Sequence, residues 1–388
     1  MRRRRKRIAL IYDAALPYDV QVMSGVADYA RQLDEWEIFI EESALNQRRL
    51  PDLSRWDGAG VIADFDHPQV ARQVLASGLP VVAFGGGYGG YPPDSLIPCV
   101  LTDNAAISRL AFEHLSARGF RNFGFFGYSM DPIYGWSRER ELAFSSLAGN
   151  AGCQCHTFDA PMNAERNWQR FTARTLLWLK SLPKPVGILA ATDKRARCLL
   201  EVCRTADISV PGEVAVIGVD NDHLNCELSF LSLTSIEQGT HEIGRRAGEI
   251  LNLLLQGRPP LNIRTIVQPT GVITRASTDT LATDDPDAAR TMQLISEHAC
   301  HGLTPQQICR EIGRSRSGLE ELFKASFGRT LAKAILDSRL TRAHELVVHS
   351  SLPLKEVADR SGFRSVQHMT TLFRQYHDRT PAAIRRAR

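Results

Sequence analysis

Three aspartates stand where a short apolar run gives way to polar sequence. Asp64 ends Val61-Ile62-Ala63-Asp64, and Asp193 follows Leu189-Ala190-Ala191-Thr192. Asp220-Asn221 ends Ala215-Val216-Ile217-Gly218-Val219. In open α/β sheets, ligands bind at the carboxyl ends of strands. Carboxylates accept hydrogen bonds from hydroxyls, an arginine donates them, and an aromatic ring can cover an apolar face. Arg140, within Gly135-Trp136-Ser137-Arg138-Glu139-Arg140, is the candidate donor. Trp136, Tyr18 and Phe65 are the candidate rings. This set suits a monosaccharide. Each aspartate also has a plainer reading as a helix N-cap. A remote alternative is a sugar-processing enzyme pairing Asp64 with Asp193 or Asp220 as acid and base.

A second group of residues has the chemistry of base recognition. Arg316, Ser317, Glu320, Glu321 and Lys324 fall on the polar face of one short helical pattern. Gln367, His368, Thr371 and Arg374 fall on the polar face of another. Arginine pairs with guanine O6/N7, glutamine with adenine, and glutamate accepts from cytosine N4. Gly85-Gly86-Gly87-Tyr88-Gly89-Gly90 is a glycine-rich loop, but it lacks the lysine of a P-loop and does not open a helix as a dinucleotide fingerprint does. It reads as a tight loop near a strand end. The eight cysteines include no C-x-x-C pair, so neither a zinc site nor a disulfide framework is expected, and scattered thiols fit a cytoplasmic protein. No cofactor, metal or catalytic residue is expected.

The elements that position the first group alternate. Runs reading as buried strands are Ile8–Tyr12, Trp36–Ile40, Ala59–Ala63, Pro80–Phe84 and Cys99–Leu101, then Phe123–Gly127, Gly187–Ala191 and Val214–Val219. Amphipathic segments separate them, among them Tyr18–Leu33, Pro68–Ser77, Asn104–Arg118, Asn167–Ser181 and Lys194–Ala206. Strands alternating with helices of this length make βαβ units and parallel sheets. The length suits two such lobes over residues 1–275. Ala276–Asp287 is polar and acidic and reads as a linker. Residues 288–388 are helical throughout.

Two units of that tail are alike. Ile308-(x)3-Ile312-Gly313-Arg314-Ser315 leads to Leu319-(x)2-Leu322-Phe323-Lys324. Val357-Ala358-(x)3-Gly362-Phe363-Arg364-Ser365 leads to Met369-(x)2-Leu372-Phe373-Arg374. A short helix, a glycine turn and a capped second helix is the helix-turn-helix plan. Charge agrees. Residues 286–388 hold 17 Lys+Arg against 10 Asp+Glu, whereas the whole chain of 388 residues is only +4. The body is therefore mildly acidic and the tail basic, the footprint of a nucleic-acid-binding module. The start, Met-Arg-Arg-Arg-Arg-Lys-Arg, precedes an apolar stretch cut short by Tyr12 and Asp13, which reads as a strand and not as an export signal. No apolar run reaches the length of a membrane-spanning helix.

The tail resembles the DNA-binding domain of the AraC/XylS regulators, through Leu354-(x)2-Val357-Ala358-(x)3-Gly362-Phe363-(x)9-Phe373-Arg374-(x)5-Thr380-Pro381-(x)3-Arg385. It departs from that pattern at Met369, where an aromatic is usual, at Asp378, where glycine is usual, and at Thr371, where a base-reading arginine is frequent. The body resembles the periplasmic-binding-protein-like sensor of LacI/GalR regulators. The matching pieces are Trp136-(x)3-Arg140, Ala191-Thr192-Asp193, Ile217-Gly218-Val219-Asp220-Asn221 and Thr234-Ser235-Ile236-(x)-Gln238. This match adds Gln238 to the candidate ligand residues. In that family the helix-turn-helix precedes the sensor; here it is expected at the other end.

The uncommon pairing is similar to the xylose operon regulators as a family. Trp36–Glu42, Gly60–Asp66 and Thr192–Arg197 carry that similarity. It implies a D-xylose-dependent activator of genes for xylose uptake and metabolism, with another pentose or hexose as the alternative signal. The implied partners are a monosaccharide, promoter double-stranded DNA, RNA polymerase and a second copy of the chain.

Overall fold

The computed structural model describes residues 5–41, 53, 56–85, 96–128, 134–160, 167–280, 282–283 and 285–386, with backbone only at 345, 349 and 377. Most of the glycine-rich loop, 86–90, and Glu42 lie outside the described residues.

The first lobe begins with strand β1 (Lys6–Ile11), helix α1 (Pro17–Leu33) and β2 (Trp36–Glu41). It continues through β3 (Gly60–Asp64), α2 (Pro68–Ala76), β4 (Val81–Gly85) and β5 (Cys99–Thr102). The second lobe begins with α3 (Asn104–Ala117), β6 (Asn122–Tyr128), α4 (Gly135–Asn150), β7 (Gln154–Ala160) and α5 (Trp168–Ser181). It adds β8 (Val186–Ala190), α6 (Asp193–Thr205), β9 (Val214–Val219), α7 (His223–Glu227) and β10 (Thr234–Glu237). The chain then returns to the first lobe for α8 (Thr240–Leu255) and β11 (Arg264–Val267), and crosses again for β12 (Gly271–Ile273).

Each lobe is a six-stranded sheet, ordered β11-β5-β4-β3-β1-β2 and β12-β10-β9-β8-β6-β7. All pairs are parallel except β10–β12, which is antiparallel. The central strands are wholly buried (Gly60–Asp64, Val186–Ala190 and Val214–Val219) because helices cover both faces. Three crossings join the lobes. They are tied together by Asp103 N–H to Val267 O (3.1 Å), Gln268 Nε2 to Asp103 Oδ2 (2.7 Å) and Thr270 N–H to Glu237 O (2.9 Å).

Helices α1 and α8 pack at glycine. A Cβ at Gly25 would meet the His241 carbonyl oxygen, and one at Gly244 the Val22 carbonyl oxygen, both nearer than 3 Å. No side chain fits, so the backbones touch.

The expected linker is partly docked. Residues Ala276–Thr278 form a 3-10 turn in which Ser277 and Thr278 are fully buried. Ser277 Oγ donates to Val216 O (2.6 Å) and accepts from Thr234 N–H (2.8 Å). Thr278 O accepts from Arg118 Nε (2.8 Å). Polar composition reads as a linker, yet the Ser277 and Thr278 hydroxyls have backbone or side-chain partners on the second lobe.

Beyond it come α9 (Pro286–His298), capped by Asp285 as expected, α10 (Pro305–Ile312), α11 (Arg316–Phe327) and α12 (Leu331–His349). Then follow α13 (Leu354–Arg360), α14 (Val366–His377) and α15 (Pro381–Arg386). Two cores lie along α12. One gathers Ile308, Leu319, Phe323 and Leu331; the other gathers Val347, Val357, Met369 and Phe373. Met369 thus fills the core where an aromatic is usual.

The α1–α8 contact gives a stability test. Gly25→Ala or Gly244→Ala should cost about 1–3 kcal/mol, because helix backbones must separate. Gly149→Ala, in α4 with open space around its Cβ, should stabilise by up to about 1 kcal/mol. Denaturant titration of the three variants checks the order; equal stabilities would contradict the close packing.

Candidate functional site

A cavity of about 140 Å³ lies between the lobes at the carboxyl ends of the strands. The first lobe lines it with Asp13, Tyr18, Asp19, Asp64, Asp66 and His67. The second supplies Tyr128, Tyr134, Trp136, Arg140, Thr192 and Lys194. Asp220, just past β9, and Gln238, just past β10, line it too. One wall is acidic and the facing wall aromatic and basic.

Arg140 organises the second wall. It projects from α4 and is 2% exposed. Its Nε donates to Asn104 Oδ1 (2.9 Å), Nη1 to Ala191 O (2.6 Å) and Nη2 to Gln238 Oε1 (2.7 Å). Gln238 Oε1 is thereby committed as acceptor, so Nε2 turns to Asp220 Oδ1 at 2.5 Å. The guanidinium also lies 4.8 Å from the Trp136 ring centre. Three elements and one crossing thus converge on one buried cation.

Burial pushes the Asp220 carboxyl up to about 7, with Arg140 and the Gln238 hydrogen bond holding it down against that. Burial likewise raises Asp64 and Asp19 well above the usual carboxylate range, and neighbouring carboxylates add to the effect. Burial raises the Tyr18 phenol, which contacts Gly85 O and Thr102 Oγ1 at 3.0 Å each. Carboxyl, phenol and amide groups grouped in this way can exchange directed hydrogen bonds with hydroxyls. Tyr128 stacks with Tyr134 (centroids 5.2 Å apart, interplanar angle 30°) and meets Trp136 edge-on (5.5 Å), giving a flat apolar face beside these polar groups.

Asp64, Arg140, Asp220, Trp136, Tyr18 and Gln238 therefore meet at one cavity. Asp193 and Phe65 do not line it. Asp193 opens α6 and turns its carboxylate inward, accepting from Ser235 Oγ (2.6 Å), Asp222 N–H (2.8 Å) and Cys226 Sγ (3.4 Å). It lies against Gly218, where any Cβ would collide with Asp193 Oδ1. It fastens the ends of β9 and β10. Phe65 follows Asp64 and is buried in the first lobe's core. Asp13, Asp19, Asp66, His67, Tyr128, Tyr134, Thr192 and Lys194 were not anticipated. Asp13 and Tyr128 sit at strand ends and could have been found by the rule that found Asp64; Asp19, inside α1, carried no such signal.

In the tail, Ser315 and Ser365 cap α11 and α14 by accepting from Gly318 N–H and His368 N–H. Gly313 and Gly362 make the turns with positive φ, and Asp378 takes a left-handed conformation (φ 53°) where glycine is usual. Arg316, Ser317, Glu321 and Lys324 are exposed on α11, as are Gln367, His368, Thr371 and Arg374 on α14. Glu320 differs. Its Oε2 accepts from Leu331 N–H (2.9 Å), so it tethers the start of α12 and is half-buried. Thr371 Oγ1 donates to Gln367 O within its own helix (3.0 Å).

Family models match in the same order. Residues 7–105 match the XylR N-terminal domain, 112–278 a periplasmic binding protein-like domain and 308–387 a helix-turn-helix domain. The xylose operon regulatory protein of Escherichia coli strain K12 is 36% identical over 386 residues, 98% of this chain and 97% of that one. Its namesake in Haemophilus influenzae is 33% identical, covering 98% of each. The chain belongs to the xylose operon regulatory protein family. The solved structure of a xylose-binding transcription activator, XylR, agrees over 100% of this chain and 99% of that one, with TM-score 0.83 and 35% identity. A LacI family regulator from Enterococcus faecium, solved with ribose, shares the sensor fold alone (TM-score 0.58, 20% identity, 72% of this chain and 100% of that one). Family membership makes the chain a transcription regulator and sets aside the enzyme reading of Asp64, Asp193 and Asp220. No helix among the described residues is long and apolar enough to cross a membrane.

The raised Asp220 carboxyl gives a pH test. A hydroxyl donates to the ionised form, so ligand binding favours loss of the proton. Monosaccharide affinity should rise about tenfold from pH 6 to pH 8 as the group passes through about 7. Asp220→Asn should flatten that rise. Calorimetric titration at both pH values checks it, and an affinity that falls over this range would contradict the role of the carboxylate.

Proposed function

We propose that the chain is a D-xylose-responsive, sequence-specific DNA-binding activator of genes for xylose uptake and metabolism. The observation that carries this is the cavity uniting Asp64, Arg140, Asp220 and Gln238 with Trp136 and Tyr18 in a chain of this family. Carboxylates and amide groups take the sugar hydroxyls, and the rings cover its carbon face. Residues 1–275 act as the sensor, 276–287 as the connection and 288–388 as the DNA-binding domain. The buried turn at Ala276–Thr278 supports a connection whose first part moves with the second lobe.

Arg316, Ser317, Glu321 and Lys324 on α11, with Gln367, His368, Thr371 and Arg374 on α14, are the proposed DNA contacts. Glu320 serves instead to hold α12. The two helices enter successive major-groove segments about 34 Å apart on one face of the duplex. The regulator works as a homodimer on two such sites in the cytoplasm and engages RNA polymerase. Sugar acts by binding one lobe arrangement more tightly than another.

Footprinting on a promoter fragment of a xylose operon, with and without D-xylose, tests this reading. Xylose should change the protected region or its affinity, and binding should fall steeply with salt as phosphate contacts release counterions. Arg374→Ala should weaken binding, whereas Gln367→Ala should relax base preference at one position by about 1–3 kcal/mol. Protection and transcription indifferent to D-xylose would overturn the sensor half; no protection at low salt would overturn the DNA-binding half.

A further inference from the structure

Asp220 and Asn221 both have positive φ, 118° and 48°. Aspartate and asparagine tolerate such values better than most residues, yet a consecutive pair is held only by its surroundings. Those surroundings reach three parts of the molecule. Asp220 O accepts from Gln21 Nε2 (3.1 Å), which comes from α1 across the cleft, and Gln21 Oε1 accepts from Thr240 Oγ1 (2.8 Å). The Asp220 carboxylate lines the cavity and accepts from Gln238. Asn221 Oδ1 accepts from Arg275 Nη2 at 2.8 Å.

Arg275 is the last residue before the buried turn that leads to α9. Its side chain is 14% exposed. It also donates Nη1 to Leu233 O (2.8 Å), its backbone N–H donates to Thr234 Oγ1 (2.8 Å), and Nε stands 3.7 Å from Glu227. Two residues on, Ser277 is bonded to Val216, in the strand that Asp220 and Asn221 follow. Cavity, opposite lobe and root of the connection therefore meet on one dipeptide, and a single arginine joins it to the connection.

We infer that Arg275, through Asn221, transmits occupancy of the sugar cavity to the DNA-binding domain. This rests on the sugar-responsive reading proposed above. A sugar on the Asp220 carboxylate, and a lobe shift at Gln21, each favour one setting of the Asp220–Asn221 backbone. Arg275 follows Asn221 Oδ1 and re-aims the turn at Ala276–Thr278. Arg275 touches no sugar in this scheme; it is a positioning residue, and its removal costs coupling and not sugar affinity.

The experiment uses the full chain, D-xylose, and a duplex selected from a random-sequence pool by the wild-type protein. Calorimetry measures sugar affinity, and fluorescence anisotropy measures DNA affinity with and without sugar. Wild type should show a coupling within the usual range of about 5- to 150-fold. Arg275→Gln and Asn221→Ala should each keep sugar affinity and sugar-free DNA affinity within about 3-fold, while the coupling falls toward one. The effect of DNA on sugar affinity should vanish with it, since coupling is reciprocal. Wild-type coupling in the variants would overturn the inference and leave the sugar-responsive reading standing. Sugar affinity lost together with coupling, or loss of the cooperative thermal transition in both variants, would show a structural role and also overturn it. A wild type indifferent to D-xylose would overturn the proposed function first.

Discussion

The buried guanidinium of Arg140 sets the terms for the sensor. Placing a cation away from water costs several kcal/mol unless hydrogen bonds and an opposite charge offset it. Asn104, Ala191 and Gln238 provide the hydrogen bonds and Asp220 the charge. These partners come from α3, the end of β8, the crossing after β10 and the end of β9. The second sheet and a crossing must be in place before Arg140 is satisfied. The cavity wall is in this sense a consequence of solving one desolvation problem, and the Gln238 amide relays the solution to the group best placed to meet a ligand.

Much of this was legible because parallel sheets expose their function at strand ends. That rule leads to Asp64 and Asp220, and the fold brings both to the cavity. The same rule misplaced Asp193, since it locates a residue along the strand but not the direction of its carboxylate. Gly218 leaves room for that carboxylate to turn inward, and Ser235 and Cys226 hold it there. Phe65 was misplaced by alternation: adjacent residues point to opposite sides, so it enters the core where Asp64 faces the cavity. Strands β7 and β11 escaped notice because they are edge strands with polar, part-exposed residues and no apolar run. The docked turn escaped because Ser277 and Thr278 are polar by composition, yet a buried hydroxyl costs little once paired.

The helices of the tail are legible in the sequence almost throughout. Its caps, glycine turns and i, i+4 apolar spacing are local signals, and helical domains are built from local contacts. What remained hidden were the long-range uses of exposed-looking residues. Glu320 belongs by spacing to the recognition face, but it reaches Leu331 eleven residues on and braces α12. Arg339 likewise turns from α12 to the Ala299 and Leu303 carbonyls, at 2.7 and 3.2 Å, tying the first helix-turn-helix unit to the helix between the two. The two units thus share α12 as a common spine while keeping separate cores.

In the proposed sensor a monosaccharide sits between the acidic wall of the first lobe and the Arg140–Gln238–Asp220 chain of the second. The most direct measurement is a crystal structure of the full chain grown with D-xylose. Density for one sugar is expected in this cavity, with the Asp220 carboxylate within hydrogen-bond distance of a hydroxyl and an aromatic ring against the carbon face. Density for the sugar elsewhere, with this cavity holding only water, would contradict it.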